Sequence, residues 1–244
     1  MKHVLFCLIF LVSIVRAYPQ TGQDNTIIND PNAEARKVPA FSVIHVSHGI
    51  SLVVKQGSQH GVAVSASDRE YRDKIKTVVE NGVLKIYYDS DSWWKGSNRA
   101  NKKLKAYVSV NSLEKLSGNS GSSILVDGSL NSNKFVLDLS SGSNFRGDIR
   151  AAELNIEQSS GAVSKISGTA KNVYLETSSG SNLHGYNLSA DVCNASASSG
   201  AHIEISVNTE LTGKASSGGG VRYKGNGVLK NKSTSSGGSV SKNG

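Results

Sequence analysis

The feature that most constrains this fold is the tripeptide Ser-Ser-Gly, which returns at a nearly constant interval through the second half of the chain. A fixed period near 20 residues is typical of solenoid proteins, in which each repeat forms one coil that packs on the next. The repeat glycines, of which the first stands in Asn-Ser-Gly, are 21, 19, 19, 20, 18 and 19 residues apart: Gly121, Gly142, Gly161, Gly180, Gly200, Gly218 and Gly237. A catalytic serine is needed once, but a turn is needed in every coil. We therefore interpret Ser-Ser-Gly as a structural corner, where glycine allows a tight turn.

Alternating side chains around each glycine predict β-strands with one buried face. Phe135, Leu137 and Leu139 stand seven, five and three positions before Gly142, and the same columns are mostly apolar in later repeats, with mostly polar residues between them. This is the two-residue period of a strand that is buried on one side. A second predicted inward column lies three positions after each glycine: Ile124, Phe145, Ser164, Leu183, Ile203 and Val221.

These patterns predict an all-β protein, a single-stranded parallel β-helix (β-solenoid) of six or seven coils over residues 112–244. We expect it to be right-handed, as strand twist favours, with coils about 4.8 Å apart. Its last repeat, from residue 229, is polar and predicts a C-terminal cap that keeps the terminal coil from pairing with another molecule. Residues 38–111 contain alternating runs and an Asn-Gly hairpin signal, which predict an N-terminal β layer that covers the first coil. Residues 18–37 have no clear period and predict a flexible lead.

The first 17 residues match a secretory signal peptide, with a basic start, an apolar run from Val4 to Val15, and Ala17 before the cleavage site. The run is too short for a membrane-spanning helix, and no second long apolar run follows. We therefore expect an exported protein without a transmembrane anchor, in the periplasm, on the outer-membrane surface or outside the cell. Cleavage leaves Cys193 as the single cysteine, so no internal disulfide holds the fold together.

The charge balance gives a weak indication of the partner. After cleavage 25 basic residues face 19 acidic ones, a formal excess of +6. Such an excess suits acidic glycans or lipid headgroups, and it also suits an ordinary solubilising surface. The partners that we expect are glycans or extracellular proteins and not nucleic acids. The sequence does not indicate the oligomeric state.

One outward column carries the predicted ligand-binding residues of the repeats. Four positions after successive glycines stand Arg146, Lys165 and His184, which would form a basic stripe along the coils. Like charges at this spacing repel, and an anionic partner or solvent screening relieves the repulsion. The stripe therefore predicts a site for a glycan with carboxylate or sulfate groups. The alternative is an ordinary solvated face, interrupted by Glu204.

Trp93 and Trp94 are the other predicted binding residues. They stand in a polar and basic loop, DSDSWWKGSNRANKK, after a predicted strand. Exposed tryptophans stack on sugar rings or anchor protein interfaces, where aromatic residues are enriched. The alternative is that they fold back and cover the end of the solenoid.

No residue pattern indicates a cofactor, a metal site or catalysis. His45, His48 and His60 are close in sequence but lack ligand spacing, and Cys193 falls in an inward column. Glu157 and Glu176 share a column and would approach within about 5 Å, as the carboxylates of retaining glycosidases do. We expect no cleft at this pair and therefore predict that the protein is not an enzyme.

The order of motifs in the first third supports a family assignment. FSVIHVSHGISLVVKQGSQHGVAVSAS, then VVENGVLKIYY, then the Ser/Gly corners resemble the bacterial family called putative auto-transporter adhesin, head GIN domain (DUF2807). One departure is Ser51 after Gly49-Ile50, where the family name suggests Asn. The resemblance runs from Phe41 to the C-terminus and implies a secreted or cell-envelope β-helix with an adhesin-like binding role. A polysaccharide-binding or polysaccharide-active β-helix and a structural periplasmic protein are the alternatives.

Overall fold

The computed structural model describes residues 30–58, 60–89 and 102–243. The predicted signal peptide and Trp93 and Trp94 lie outside these described residues. Within them, one short helix, α1 (Arg69–Asp73), accompanies the strands. The strands are β1 (Glu34–Arg36), β2 (Val43–Val46), β3 (Ser51–Gln56), β4 (Gly61–Ser65), β5 (Ile75–Glu80), β6 (Val83–Tyr88), β7 (Lys105–Val110), β8 (Lys115–Gly118), β9 (Ser123–Leu139), β10 (Asn144–Gln158), β11 (Val163–Thr177), β12 (Asn182–Ala197), β13 (His202–Ala215), β14 (Gly220–Lys224), β15 (Val228–Thr234) and β16 (Ser239–Lys242).

The long strands form a parallel ladder in which each coil pairs with the next. β9 to β13 follow one another in the sheet, and equivalent positions of the repeats are partners, as Leu137, Ile156 and Leu175 are. The predicted all-β parallel solenoid is confirmed, with about 7 turns. Because the register follows the sequence repeat, each outward column of the sequence is a row of neighbouring side chains on the surface.

Ser-Ser-Gly is the corner of each coil, as predicted. Ser141 and Gly142 both have positive φ, 50° and 70°, and the Ser143 N–H donates to the Ser140 carbonyl at 3.1 Å. Positive φ at both central residues defines a type I′ turn, which favours glycine. The Gly142 N–H also donates to the Ser160 carbonyl of the next corner at 3.0 Å. The corners are thus hydrogen-bonded to one another along the solenoid.

Each coil has two strand segments, which present two different faces to solvent. After the corner, Phe145 and Ile149 point inward, and the alternation then changes phase so that Leu154 and Ile156 are buried. We call the outward side chains of the segments that follow a corner the first face. The outward side chains of the segments that precede a corner are the second face. The core between them is apolar in nearly every column.

The N-terminal strands belong to the same sheet as the repeats. β3 pairs in parallel with β9, and β2 pairs in parallel with β8. Between β2 and β3, His48 and Gly49 have φ of 59° and 69°, and the Gly49 N–H donates to the Ser120 carbonyl at 3.0 Å. Residues 43–56 therefore form a further coil whose corner lacks the Ser-Ser-Gly signature. The predicted boundary at residue 112 consequently does not separate two sheets.

The N-terminal edge combines an antiparallel strand with a hairpin. β1 pairs antiparallel with β4, and β4 pairs antiparallel with β7. β5 and β6 form the hairpin that Asn81-Gly82 predicts. The segment before this hairpin, for which the sequence favoured neither a helix nor a strand, contains α1. The two outermost strands at this end are therefore β1 and β5.

A partly buried carboxylate connects the segment before β1 to the sheet. Asp30 accepts a hydrogen bond from the Tyr107 hydroxyl at 2.7 Å, and its carboxylate lies 3.8 Å from the Lys105 ammonium. The hydroxyl bond is the main cause that lowers the pKa of Asp30 below its ordinary value. Burial, together with the same bond, raises the pKa of Tyr107 to about 12. The contact is therefore strongest when Asp30 is ionised and Tyr107 is neutral.

We expect the attachment of β1 to weaken in acid. A depressed carboxyl pKa contributes stability that is present above the unfolded value and is lost as the pH falls through the folded value. Tyr107→Phe removes the main donor, so it should increase amide exchange in β1 at neutral pH and flatten its acid dependence. Hydrogen exchange of β1 from about pH 3 to pH 7 measures this. Tyr87→Phe is the matched control, and an unchanged acid profile for Tyr107→Phe would contradict the assignment.

Candidate functional site

The predicted basic stripe is formed on the first face. Arg146 pairs with Lys165 in the β10–β11 ladder, and Lys165 pairs with His184 in the β11–β12 ladder. All three side chains are exposed. Consecutive members are one coil apart, about 4.8 Å along the solenoid. The corner repeat thus brings together three basic groups that are 19 residues apart in sequence.

The carboxylate of Glu204, on the next coil, neutralises one end of this stripe and leaves the other two members unpaired within the described chain. His184 Nδ1 lies 2.9 Å from Glu204 Oε2, its neighbour in the β12–β13 ladder. Among the described residues, no carboxylate lies within ion-pair distance of Arg146 or Lys165. The unneutralised charge of the stripe therefore lies on the Arg146–Lys165 pair.

Asp148 lies near this pair, but its charge already has partners. It accepts hydrogen bonds from the Ser129 and Ser167 hydroxyls at 2.7 and 3.0 Å, and its carboxylate lies 3.3 Å from the Arg150 guanidinium. Burial disfavours ionisation of Asp148, but these three groups outweigh it and hold the pKa of the carboxyl below its ordinary value. Asp148 therefore stays ionised and is held by its own neighbours.

A hollow of about 280 Å³ opens beside the two unneutralised cations. Its walls include Leu125, Gly128 and Asn187 as well as Arg146 and Lys165. The strand register is interrupted here, since β9 carries extra residues opposite the Arg146–Asp148 step and Gly128 has a φ of 87°. Such bulges redirect side chains and are frequent at functional sites. The stripe therefore borders a concave surface.

The second face carries a larger concave surface that the sequence analysis missed. A trough of about 450 Å³ runs over the second segments of β10 to β13, where it is lined by Asn155, Glu157, Tyr174, Glu176 and Lys214 among others. The expectation that Glu157 and Glu176 lie on a face without a cleft is therefore wrong. The period-two pattern places these side chains outside, but it carries no information on the depth of the surface.

Two of the three glutamates that line the trough, Glu157 and Glu176, differ from the other acidic residues nearby. Glu157 and Glu176 are partners in the β10–β11 ladder. Asp138 and Glu153, by contrast, form ion pairs with Lys115 and Lys134 at 3.0 and 2.8 Å. Within the described chain, no such pair involves Glu157 or Glu176.

The remaining polar candidates do not form a site in the described part of the chain. Cys193 is fully buried, and burial raises the pKa of its thiol to about 12, so it is not a thiolate at neutral pH. Within residues 30–58, 60–89 and 102–243, no three His, Cys, Asp or Glu side chains gather as metal ligands do. In the same residues, no helix is long and apolar enough to cross a bilayer. The predicted binding role of Trp93 and Trp94 remains a prediction.

Solved structures of bacterial proteins share this fold. A putative adhesin from Bacteroides fragilis superposes with a TM-score of 0.69 at 20% identity, over 86% of this chain and 94% of that one. A putative adhesin from Parabacteroides distasonis gives 0.67 at 16% identity, over 86% and 96% of the two chains. A protein described as a putative lipid binding protein, also from Parabacteroides distasonis, gives 0.61 at 18% identity, over 88% and 98%.

Comparison of the sequence with protein families identifies the family of this chain. No curated protein matches the chain. The family described as putative auto-transporter adhesin, head GIN domain, matches residues 40–227, which span the N-terminal strands and most of the Ser-Ser-Gly coils. The resemblance that the sequence motifs indicated is thereby confirmed. The chain belongs to the DUF2807 family of putative adhesins, whose head GIN domain is this parallel β-solenoid.

Proposed function

We propose that this protein is an exported, non-enzymatic binding module of the bacterial cell envelope or surface, and that its first face holds an acidic glycan. The observation that carries the proposal is the Arg146–Lys165 pair, two cations without a carboxylate partner among the described residues, beside a concave surface. Membership in a family of putative adhesins supports a binding role. The signal-peptide pattern of residues 1–17 supports export.

The chemistry of the pair suits a ligand with repeated anionic groups. Two cations on adjacent coils repel each other, and an anion between them removes the repulsion and gains two charge-assisted hydrogen bonds. The Arg146 guanidinium offers a planar fork that matches carboxylate and sulfate, and the Lys165 ammonium adds a point charge. Glycans with a carboxylate or sulfate on successive sugars provide such groups at regular intervals.

The other predicted binding residues, His184, Trp93 and Trp94, contribute less to this proposal than Arg146 and Lys165 do. His184 lies at the border of the site, because Glu204 holds its Nδ1 at 2.9 Å. Trp93 and Trp94 belong to the chain between β6 and β7, outside the described residues. We assign them the stacking of sugar rings, a role that the polar and basic composition of their segment favours.

A membrane surface offers similar anionic chemistry, but the surface near the pair favours a glycan. One protein of this fold is described as a putative lipid binding protein. In the described chain, however, the exposed large apolar side chains are scattered, and Leu125 is the one in the column of Arg146 and Lys165. Inserting into the apolar part of a bilayer requires a continuous apolar surface. We therefore propose the glycan as ligand, with anionic vesicles as a comparison in the test.

Replacing both cations is expected to weaken acidic-glycan binding at least about tenfold, because each removes a charge-assisted contact. The test compares Arg146→Ala/Lys165→Ala with the full chain in calorimetric titration of a sulfated hexasaccharide. The salt dependence of the affinity should also decrease, since fewer ion contacts remain.

The matched control is Lys230→Ala/Lys232→Ala, which removes the same charge from the last coil. An equal loss in both double variants would show non-specific attraction and would contradict the proposal. Binding of vesicles with an anionic lipid, without binding of the sulfated hexasaccharide, would replace the glycan with a membrane.

Export and surface exposure require a separate experiment. An antibody against residues 102–243 should label intact cells as strongly as permeabilised cells if the protein acts in adhesion. Labelling after permeabilisation alone would assign the protein to the periplasm, and a structural or glycan-binding role there would replace adhesion. Retention in the cytoplasm would contradict the proposed export.

A further inference from the structure

We propose that the trough on the second face is another binding site, and that its ligand is a neutral, unbranched polysaccharide that lies along the solenoid. The trough lies on the second face and the Arg146–Lys165 pair lies on the first, so the two sites are separate. The proposal goes beyond the acidic-glycan function and does not depend on it. Its evidence is the arrangement of an aromatic ring, two amides and four charged groups in one concavity, of which Glu153 is paired with Lys134.

Tyr174 is the central element of the trough. It is 46% exposed, so its ring is open to a ligand in the trough. The flat ring offers a negative face on which the C–H groups of a sugar can pack. Its partners on the adjacent coils are Asn155 and Asn194, so an amide stands on each side of the ring. An aromatic platform between two amides is suited to a ligand with both an apolar face and hydroxyl groups.

The amides provide hydrogen bonds that the protein does not use fully. Asn155 Oδ1 is shielded from solvent and has no hydrogen-bond partner in the protein. A ligand in the trough does not reach this shielded atom, so the exposed Asn194 is the amide that it contacts directly. Each amide also offers two N–H donors to hydroxyl oxygens.

The charges of the trough disfavour a polyanionic ligand. Glu157 and Glu176 are adjacent in one column, and Ser196 and then Lys214 follow them in the same column. Among the described residues none of these three charged groups has an ion-pair partner. A polyanion would be repelled by the two carboxylates, whereas a polycation would be attracted by them and repelled by Lys214 alone, so hexalysine is included in the test below. Hydroxyls donate to carboxylates and accept from ammonium groups, so a neutral sugar chain satisfies both.

The core below the trough becomes narrower toward the C-terminal coils. In one inward column Ile156 and Leu175 are followed by Ala195 and Gly213, so the side chains under the second face become smaller. The two faces come close there, because a Cβ atom on Gly213 would lie 2.7 Å from a methyl carbon of Val240. The trough crosses four coils and is therefore about 14 Å long. One sugar ring with its linkage extends about one coil spacing, so successive sugars meet successive coils.

The test measures binding of neutral hexasaccharides to the full chain. Cellohexaose, xylohexaose and laminarihexaose are titrated by calorimetry, with hexagalacturonate and hexalysine as charged comparisons. We expect at least one neutral chain to bind with an affinity that salt does not change, since no ion pair forms. Tyr174→Ala should weaken this binding about tenfold or more. Arg146→Ala/Lys165→Ala should leave it unchanged.

Two further variants keep the test specific. Leu125→Ala removes a side chain of equal exposure, 45%, from the first face and should not affect binding of the neutral chain. Glu157→Gln/Glu176→Gln retains hydrogen bonding and should change neutral-chain affinity by less than about fivefold. Thermal unfolding of each variant verifies that the fold is retained.

The proposal is overturned by any of three results. The first is the absence of binding by all three neutral chains at about 10 mM. The second is an unchanged affinity in Tyr174→Ala. The third is binding of hexalysine alone, abolished by Glu157→Gln/Glu176→Gln, which would make the trough a site for cations.

Discussion

Gly168→Ala is expected to lower the free energy of unfolding by about 3 kcal/mol or more, whereas Gly161→Ala in the same coil should cost about 1 kcal/mol. A Cβ atom on Gly168 would lie 2.0 Å from the Ile149 carbonyl oxygen of the previous coil, and the φ of Gly168 is 118°. Gly161 has a φ of 71°, and nothing lies within 4 Å of a Cβ atom there. The first substitution adds a backbone collision to an unfavourable φ, and the second adds the unfavourable φ alone.

Urea unfolding of the two variants beside the parent chain measures this difference. Because the coils are hydrogen-bonded in series, a backbone shift at Gly168 disturbs its partners on both sides, Ile149 and Leu188. A neighbouring coil cannot move away from the new atom without breaking the ladder. Equal losses in the two variants would show that the coils are free to adjust their spacing. The collision argument would then be wrong.

The repeat pattern was sufficient to predict the solenoid. The inward columns that include Leu137, Ile156 and Leu175 are buried, and the outward column of Arg146 and Lys165 is exposed. This succeeds because a coil-to-coil register repeats one environment, so that each column has a common physical role. The coil of residues 43–56 was missed because the prediction relied on the repeated sequence, which this coil lacks. Its corner is His48-Gly49, which adopts the same backbone angles with a different sequence.

The trough was not predictable because it depends on volume and not on periodicity. Ala195 and Gly213 occupy the same inward column as Leu175, and a pattern of apolar residues treats them alike. Tyr174 lies between the buried Val173 and Leu175, and this alternation carries no information on the concave surface around it. Gly168 is a similar case, because the sequence does not reveal that the Ile149 carbonyl oxygen lies where its Cβ atom would be.

The first and second faces differ in charge, so one solenoid offers two ligands separate sites. A ligand along either face meets several coils at regular spacing, so weak contacts at single coils add along its length. If both proposed sites are occupied, the protein links an acidic glycan to a neutral one. Such a link is a physical basis for adhesion that requires no conformational change of the solenoid.

Gln158→Leu is expected to cost about 2 kcal/mol, and Ser164→Ala should recover most of the loss in the same chain. Gln158 is 3% exposed in an otherwise largely apolar core. Its Nε2 donates to the Ala162 and Asn182 carbonyls at 3.3 and 3.2 Å, and its Oε1 accepts from the buried Ser164 hydroxyl. The leucine fills the volume of the glutamine but leaves that hydroxyl without an acceptor. Removing the hydroxyl as well takes away the unsatisfied group.

A double-mutant cycle by urea unfolding measures the coupling between these two side chains. Ser164→Ala alone should also destabilise the protein, because the Gln158 carbonyl oxygen then loses its donor. We expect a coupling free energy of about 1–3 kcal/mol between the two positions. Strictly additive losses would show that the hydroxyl finds another acceptor, such as a water molecule in the core. The polar pair would then be two independent tolerated residues and not one hydrogen-bonded unit that fixes the register of adjacent coils.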